Sequence, residues 1–300
     1  MEIVSNITEY VSAVPTSIAL GTFDGVHRGH ISVIKSAISD DGLVPAVFTF
    51  SSSPQGVLSG NMIRSLATQP IKQRLIESLG VKLFISPSFL EVKDLTPNEF
   101  IQILAVNFKA KRLCCGFNFR FGKNGEGNAN MLKTLGKEYG IEVNITPPVV
   151  QDELPVSSTR IRELISNGEI QQAQQLLSHP FGFEFPVIEG DHRGRIIGTP
   201  TINQQWPQNF VQPKFGVYES RTYINGKKYK SVSNIGLRPT VGSDYVRSET
   251  YILDYNGDLY GESVYVELKK FLRAEQRFDN IDELKAAIMK DVETVRQEEL

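Results

Sequence analysis

The sequence predicts an α/β fold built on a parallel sheet, followed by a small antiparallel β-barrel closed by a helix. Three observations carry this expectation. From about residue 15 to 180, short apolar runs alternate with helical patterns, which is the signature of a parallel sheet with helices on its faces. After Pro180, short strand patterns follow one another with turn signals between them, the rhythm of a small barrel. The length of 300 residues makes about two domains at ~150 residues each.

In the first half, Ser17 to Gly21 reads as a strand. His30 to Ser39 carries Ile31, Ile34 and Ile38 at helical spacing. Val44 to Phe50 is a strand, Ile71 to Leu79 a helix and Lys82 to Ile85 a strand. Asn98 to Phe108 is helical, Arg112 to Gly116 extended and Met131 to Tyr139 helical. In the second half, Pro186 to Ile188, Val217 to Ile224, Lys228 to Ile235, Thr250 to Tyr255 and Ser263 to Leu268 read as strands. Asn225-Gly226 and Asn256-Gly257 supply turns. A last helix covers about Ile281 to Arg296, capped by Asp279 or Asn280. The boundary is expected between Leu177 and Phe185, giving domains of residues 1–180 and 181–300.

With 40% hydrophobic and 22% charged residues and a net charge of -2, disorder, collagen and coiled coil are excluded. The charge balance carries no footprint for nucleic acid or an anionic membrane. Cys114 and Cys115 are adjacent and are the only cysteines. One such pair makes neither a disulfide framework nor a four-ligand zinc site. A strand in the core is the expected setting for both. No apolar run approaches the ~18 residues of a membrane helix, and the first ten residues lack the pattern of a signal peptide. A soluble, cytoplasmic protein is expected.

Five segments carry chemistry. Gly21-Thr22-Phe23-Asp24-Gly25-Val26-His27-Arg28-Gly29-His30 leaves a strand, crosses a glycine-rich turn and enters a helix. Backbone N–H groups at a helix start favour anions. Two histidines three apart share one helical face there, where they can donate to a phosphate whose charge grows in a transition state. A plain helix-start turn is the alternative. Neither GxGxxG nor a Walker A motif is present, since Gly122-Lys123 is followed by Asn124.

Gly116-Phe117-Asn118-Phe119-Arg120-Phe121-Gly122 fits either a pocket for a flat ring, oriented by Asn118, or a loop pinned by core phenylalanines. Ser157-Ser158-Thr159-Arg160-Ile161-Arg162 fits an ordinary helix cap. Its hydroxyls can also hold phosphate oxygens, with Arg162 as a clamp. In Gly194 to Asn203, an extended Pro200 to Asn203 points Thr201 and Asn203 the same way. Their oxygens are hard ligands suited to Mg²⁺, and Gly194 and Gly198 would let the backbone close over phosphates. A glycine-bent strand is the alternative there. Glu249, in Ser248-Glu249-Thr250-Tyr251-Ile252, reads in isolation as a solvated strand residue.

Taken together and in order, these segments resemble the bacterial bifunctional riboflavin kinase/FMN adenylyltransferase (FAD synthetase) family. The resemblance runs from about residue 15 to 295. It is strengthened by Lys214-Phe215-Gly216-Val217-Tyr218, by Asn234-Ile235-Gly236-Leu237-Arg238-Pro239-Thr240 and by Leu272-Arg273-Ala274-Glu275-Gln276-Arg277-Phe278.

The resemblance implies a Rossmann-like nucleotidyltransferase domain and a riboflavin kinase barrel. It implies riboflavin, FMN and ATP as small-molecule substrates, and Mg²⁺. In the first domain, His27, His30 and Arg162 would act on the phosphates. Gly21, Phe23, Asp24, Gly25, Asn118, Ser158 and Thr159 would contact nucleotide. In the barrel, Thr201 and Asn203 would hold Mg²⁺ and nucleotide phosphates, with Gly194 and Gly198 on the approach. Glu249 would be the base, and Arg273 and Phe278 would meet the flavin.

The chain departs from the family at Thr49-Phe50-Ser51-Ser52-Ser53-Pro54, where Thr-Phe-Asp-Pro-His-Pro is usual and faces the nucleotide. Thr199, Ile202, Ser231 and Tyr251 replace the common Phe, Ala, Gly and His. Two alternatives follow: a kinase alone with a degenerate first domain, and a flavin-binding regulatory protein without turnover.

Overall fold

A computed structural model describes residues 1–51, 56, 62–190, 198–238 and 245–299. Contacts divide the chain into two compact units: Met1–Ser65 with Gln69–Ser158, and Leu66–Thr68 with Thr159–Leu300.

The first unit holds, in order, β1 (Glu2–Val4), β2 (Thr16–Leu20), α1 (Arg28–Ser36), β3 (Val44–Phe48), α2 (Gln69–Ser78), β4 (Leu83–Ile85), α3 (Phe89–Val92), α4 (Pro97–Val106), β5 (Ala110–Gly116), β6 (Arg120–Phe121), β7 (Gly127–Asn128), α5 (Ala129–Glu138), β8 (Glu142–Thr146), β9 (Val150–Gln151) and β10 (Leu154–Pro155). Six strands form one sheet in the order β1-β4-β3-β2-β5-β8, and every pairing in it is parallel.

Both faces of this sheet are covered, so neighbouring apolar residues go to opposite cores. Ile18 and Leu20 enter one cluster while Ala19 enters the other. Cys115 and Cys114 divide in the same way. Two-sided burial is why these strands read as continuous apolar runs. Both thiols are free and buried. Burial, reinforced by Cys114, pushes the Cys115 thiol up to about 12, so the pair is core rather than chemistry.

Caps set the helix starts. Thr96 and Glu99 form a reciprocal capping box at α4, with Pro97 as its first residue. Asn128 caps α5.

The second unit holds α6 (Ser158–Ser166, of which Ser158 falls in the first unit), α7 (Ile170–Leu177), β11 (Phe181–Ile188), β12 (Thr201–Gln205), β13 (Gly216–Ile224), β14 (Lys227–Arg238), β15 (Tyr245–Ile252), β16 (Ser263–Arg273) and α8 (Ile281–Gln297). Its six strands close into a barrel in the order β11-β12-β15-β14-β13-β16, with antiparallel pairing throughout. Asn225-Gly226 makes the two-residue hairpin between β13 and β14. Both residues have positive φ, 50° and 76°, as a type I′ turn requires. Asn280 caps α8 by accepting the Glu283 amide at 2.9 Å.

Several boundaries differ from the sequence expectation. β11 begins at Phe181 rather than Pro186, because Phe181, Phe183 and Phe185 all face the core. β15 runs Tyr245–Ile252 rather than Thr250 to Tyr255, since the chain turns at Asp254 with φ 56°. β16 extends to Arg273. The strands β1 and β8, which the sequence reading lacks, complete the edges of the parallel sheet.

Trp206, the only tryptophan, packs against Phe183 at 4.7 Å, Phe185 at 5.5 Å and Phe210 at 5.7 Å between ring centroids. Its emission therefore reports on the barrel. Phe183→Ala is expected to lower barrel stability by about 3–5 kcal/mol, read as an earlier Trp206 transition in urea. An unmoved midpoint would contradict this packing.

Candidate active sites

The first site grows from the order of the parallel sheet. β2 lies between β3 and β5, and connections run outward from it in opposite directions. Such a switch point is where open α/β sheets bind ligands, beyond the carboxyl ends of the strands. The loop after β2 carries the glycine-histidine motif, and the loop after β5 carries Asn118.

The β2–α1 loop is tightly specified. A Cβ at Gly21 would lie 2.9 Å from the Phe23 ring. Phe23 and Val26 take positive φ, a cost that the surrounding packing must sustain, while Gly25 between them does so freely. Phe23 is buried and meets the His30 ring edge-on at 5.4 Å. His27 is the N-cap of α1, and its Nδ1 accepts the His30 amide at 3.3 Å. The two imidazoles stack with centroids 3.6 Å apart. Ser158 Oγ donates to the Asp24 carbonyl at 3.0 Å, which brings the serine to this loop. Burial, then the charges of His27 and Lys72, hold His30 well below 6.5. Its Nδ1 is shut off from solvent and has no hydrogen-bond partner.

Asn118 is exposed in the turn that follows β5. Of the three loop phenylalanines, Phe119 and Phe121 pack into the sheet's core and stack on each other at 5.7 Å. Phe117 is 53% exposed. The core reading of this loop therefore holds for two rings. Thr159 is exposed in the first turn of α6, and Arg162 is half-buried one turn on. Both belong to the second compact unit.

Lys72, on α2, is a residue that the sequence reading missed. Its ammonium donates to the Phe50 carbonyl at 3.1 Å, to Thr49 Oγ1 at 3.3 Å and to the Thr22 carbonyl at 3.5 Å. A signal was present: Lys72 and Ile76 are four apart on one helical stripe, and Ile76 is fully buried.

The second site is built by strand register. Asn203 on β12 stands opposite Glu249 on β15, and Glu249 stands opposite Asn234 on β14. Three polar side chains therefore sit in a row across three strands. They line a cleft of about 1120 Å³ together with Thr201, Arg273 and Phe278. Thr201 and Asn203 share a face, as predicted, while Gln204 turns inward and donates to the Phe185 and Val264 carbonyls at 2.7 and 2.9 Å.

Asn203 is buried, and the backbone presses on it at Gly190, where a Cβ would lie 2.3 Å from its amide nitrogen. Glu249 pairs with Arg247 on its own strand. Arg273 is held by Asp291 of α8, with contacts of 2.8 to 3.2 Å, and lies 5.9 Å from the Phe278 ring. Tyr251 also lines the cleft. Gly198 turns with φ 82°. Gly194, Ser52 and Ser53 lie outside the described residues.

Comparison with known proteins agrees with both halves. The family model for FAD synthetase matches residues 11–160, and the one for riboflavin kinase matches residues 177–298. A bifunctional riboflavin kinase/FMN adenylyltransferase of Listeria monocytogenes is 35% identical over 285 residues, covering 93% of this chain and 90% of the relative. The protein of the same name from Escherichia coli K12 is 35% identical over 288 residues, covering 93% and 91%. A crystal structure named as a macrolide-efflux protein from Streptococcus pneumoniae superposes with a TM-score of 0.88 at 30% identity, over 99% of each chain.

Fold and sites thus define an ATP-using transferase with a nucleotidyltransferase unit and a kinase barrel. The chain belongs to the bifunctional riboflavin kinase/FMN adenylyltransferase family. Among the described residues, no helix is long and apolar enough to cross a membrane.

The lowered His30 pKa makes a prediction with a definite sign. The unfolded chain takes up a proton near pH 6.5 that the native imidazole refuses, so stability falls as pH drops below about 6.5. Histidine NMR should show His30 still neutral at pH 6. A His30 midpoint at or above 6.5 would contradict the packing described.

Proposed function

We propose that this chain makes flavin cofactors in two steps. It phosphorylates riboflavin with ATP to give FMN, and then transfers AMP from ATP to FMN, giving FAD and pyrophosphate. The supporting observation is the contrast between its two inventories: stacked imidazoles at a helix start in one unit, and a carboxylate between two amides in the other.

The chemistry of the steps asks for that contrast. A ribityl alcohol holds its proton tightly at neutral pH, so phosphorylation needs a positioned base. Glu249 takes that role, oriented by Arg247 and flanked by Asn203 and Asn234. The FMN phosphate is already mostly ionised at pH 7, since its second pKa is about 6. Adenylyl transfer therefore needs alignment and charge neutralisation rather than a base. His27, His30 and the start of α1 serve it. Gly21, Phe23, Asp24 and Gly25 shape the loop, and Asn118, Ser158, Thr159 and Arg162 serve the nucleotide and its phosphates.

Thr201 and Asn203 offer neutral oxygens to a hard cation. Asn203, buried in the cradle left by Gly190, fits Mg²⁺ carried on nucleotide phosphates. When bound, the ion would neutralise charge on the transferring phosphate. Arg273 and Phe278, which line the same cleft, are assigned to the flavin. Residues 1–180 are assigned to adenylyl transfer and 181–300 to phosphorylation, with the reactions placed in the cytoplasm. The family match at residues 11–160 supports the first assignment, and that at 177–298 the second.

Incubation with riboflavin, ATP and Mg²⁺ should yield both FMN and FAD on chromatography. Glu249→Ala is expected to slow FMN formation by about 10²- to 10⁴-fold while FMN and ATP still release pyrophosphate. His30→Ala should do the reverse. A Glu249→Ala enzyme with an undiminished phosphorylation rate would refute the assigned base, and an active His30→Ala adenylyltransferase would refute the role of His30.

A further inference from the structure

We propose that Lys72 is a positioning residue for adenylyl transfer: its ammonium ties the β2–α1 loop to the end of β3 and keeps a positive charge beside His30. This inference rests on the adenylyltransferase reading.

The geometry carries it. Lys72 is only 8% exposed. Its three N–H protons are matched by three oxygens, those of Thr22, Thr49 and Phe50. Thr49 Oγ1 in turn donates to the Thr22 carbonyl at 2.8 Å. One side chain therefore fastens together the loops that leave two adjacent parallel strands, β2 and β3. Thr22 is two residues from Asp24 and five from His27, inside the motif assigned to the nucleotide.

The charged and titratable groups that Lys72 feels are few. Asp24 acts on it from the β2–α1 loop. From α1, His30 responds to it, stacked on His27. The end of β3 contributes Thr49 and Phe50, which do not ionise. Burial lowers the Lys72 ammonium to about 8, with Asp24 opposing. A buried ammonium without a bonded carboxylate is expensive to keep. An alkyl side chain would fill the space without that cost. What the ammonium adds is a fixed cation that, after burial and His27, favours a neutral His30 imidazole, which stays available as a donor to phosphate oxygens.

The test uses the full chain, with Lys72→Met and Lys72→Arg compared to wild type from pH 6 to 10. Pyrophosphate release from FMN and ATP, FMN formation from riboflavin and the NMR titration of His30 are followed. Lys72→Met is expected to lower adenylyl kcat/KM by about 10- to 100-fold, leave FMN formation unchanged and raise the His30 midpoint, which burial and His27 still hold below 6.5. Wild-type adenylyl kcat/KM should decline as pH passes about 8, where Lys72 loses its proton. Lys72→Arg stays charged at all these pH values, so it should lack that decline and recover most of the rate. A His30 midpoint unmoved in Lys72→Met, or a decline near pH 8 that persists in Lys72→Arg, overturns the proposal. If the wild type releases no pyrophosphate, the adenylyltransferase reading fails, and the His30 titration alone decides on Lys72.

Discussion

The hydrogen bond from the His30 amide to the His27 ring governs what the parallel sheet presents at its switch point. A neutral imidazole that accepts at Nδ1 carries its proton at Nε2, so the cap sets the tautomer of His27 as well as its position. The same bond starts α1 and brings the two rings into a stack 3.6 Å apart. Two cationic rings at that distance would repel, and the buried Lys72 nearby adds to the penalty. The loop is therefore built for neutral donors that meet an arriving anion. Its left-handed residues and the ring of Phe23 against Gly21 are the strain and packing that hold this arrangement in place.

The barrel meets the same demand differently, through strand register rather than through a helix start. Barrel closure sets the register of β12, β15 and β14, and register alone lines up Asn203, Glu249 and Asn234. A one-residue slip in β15 would turn Glu249 to the interior and bring Ser248 or Thr250 out. Those two neighbours are locked inward by hydroxyl bonds, Ser233 with Thr250 at 2.8 Å and Ser248 with Thr250 at 3.2 Å. The buried hydroxyls therefore protect the register on which the carboxylate depends.

Much of this was legible in the sequence, for physical reasons. The strands of the parallel sheet announce themselves because both faces are buried, as at Ile18, Ala19 and Leu20. The histidine motif could be read because cap, glycines and helix start are contiguous along the chain. Asn225-Gly226 could be read because a type I′ turn demands those residues. Lys72 was missed because a lysine in an amphipathic helix normally lies in solvent. Its burial depends on loops more than twenty residues away. Asn234 was missed as a neighbour of Glu249 because residues paired across strands have no fixed spacing in sequence, and Arg247, two residues from Glu249 on the same strand, reads in isolation as a solvated partner. Phe119 and Phe121 read equally as pocket or core, and only packing separates the two.

The central claim is that each chain holds ATP at two places built on different chemistry. The direct measurement is the stoichiometry of binding of a non-transferable ATP analogue, in the presence of Mg²⁺, to the wild-type chain and to Asn203→Leu. The account predicts two nucleotides per wild-type chain and one in the variant, with the remaining site removed in turn by His30→Ala. A single nucleotide on the wild-type chain, lost in either variant alone, would contradict it.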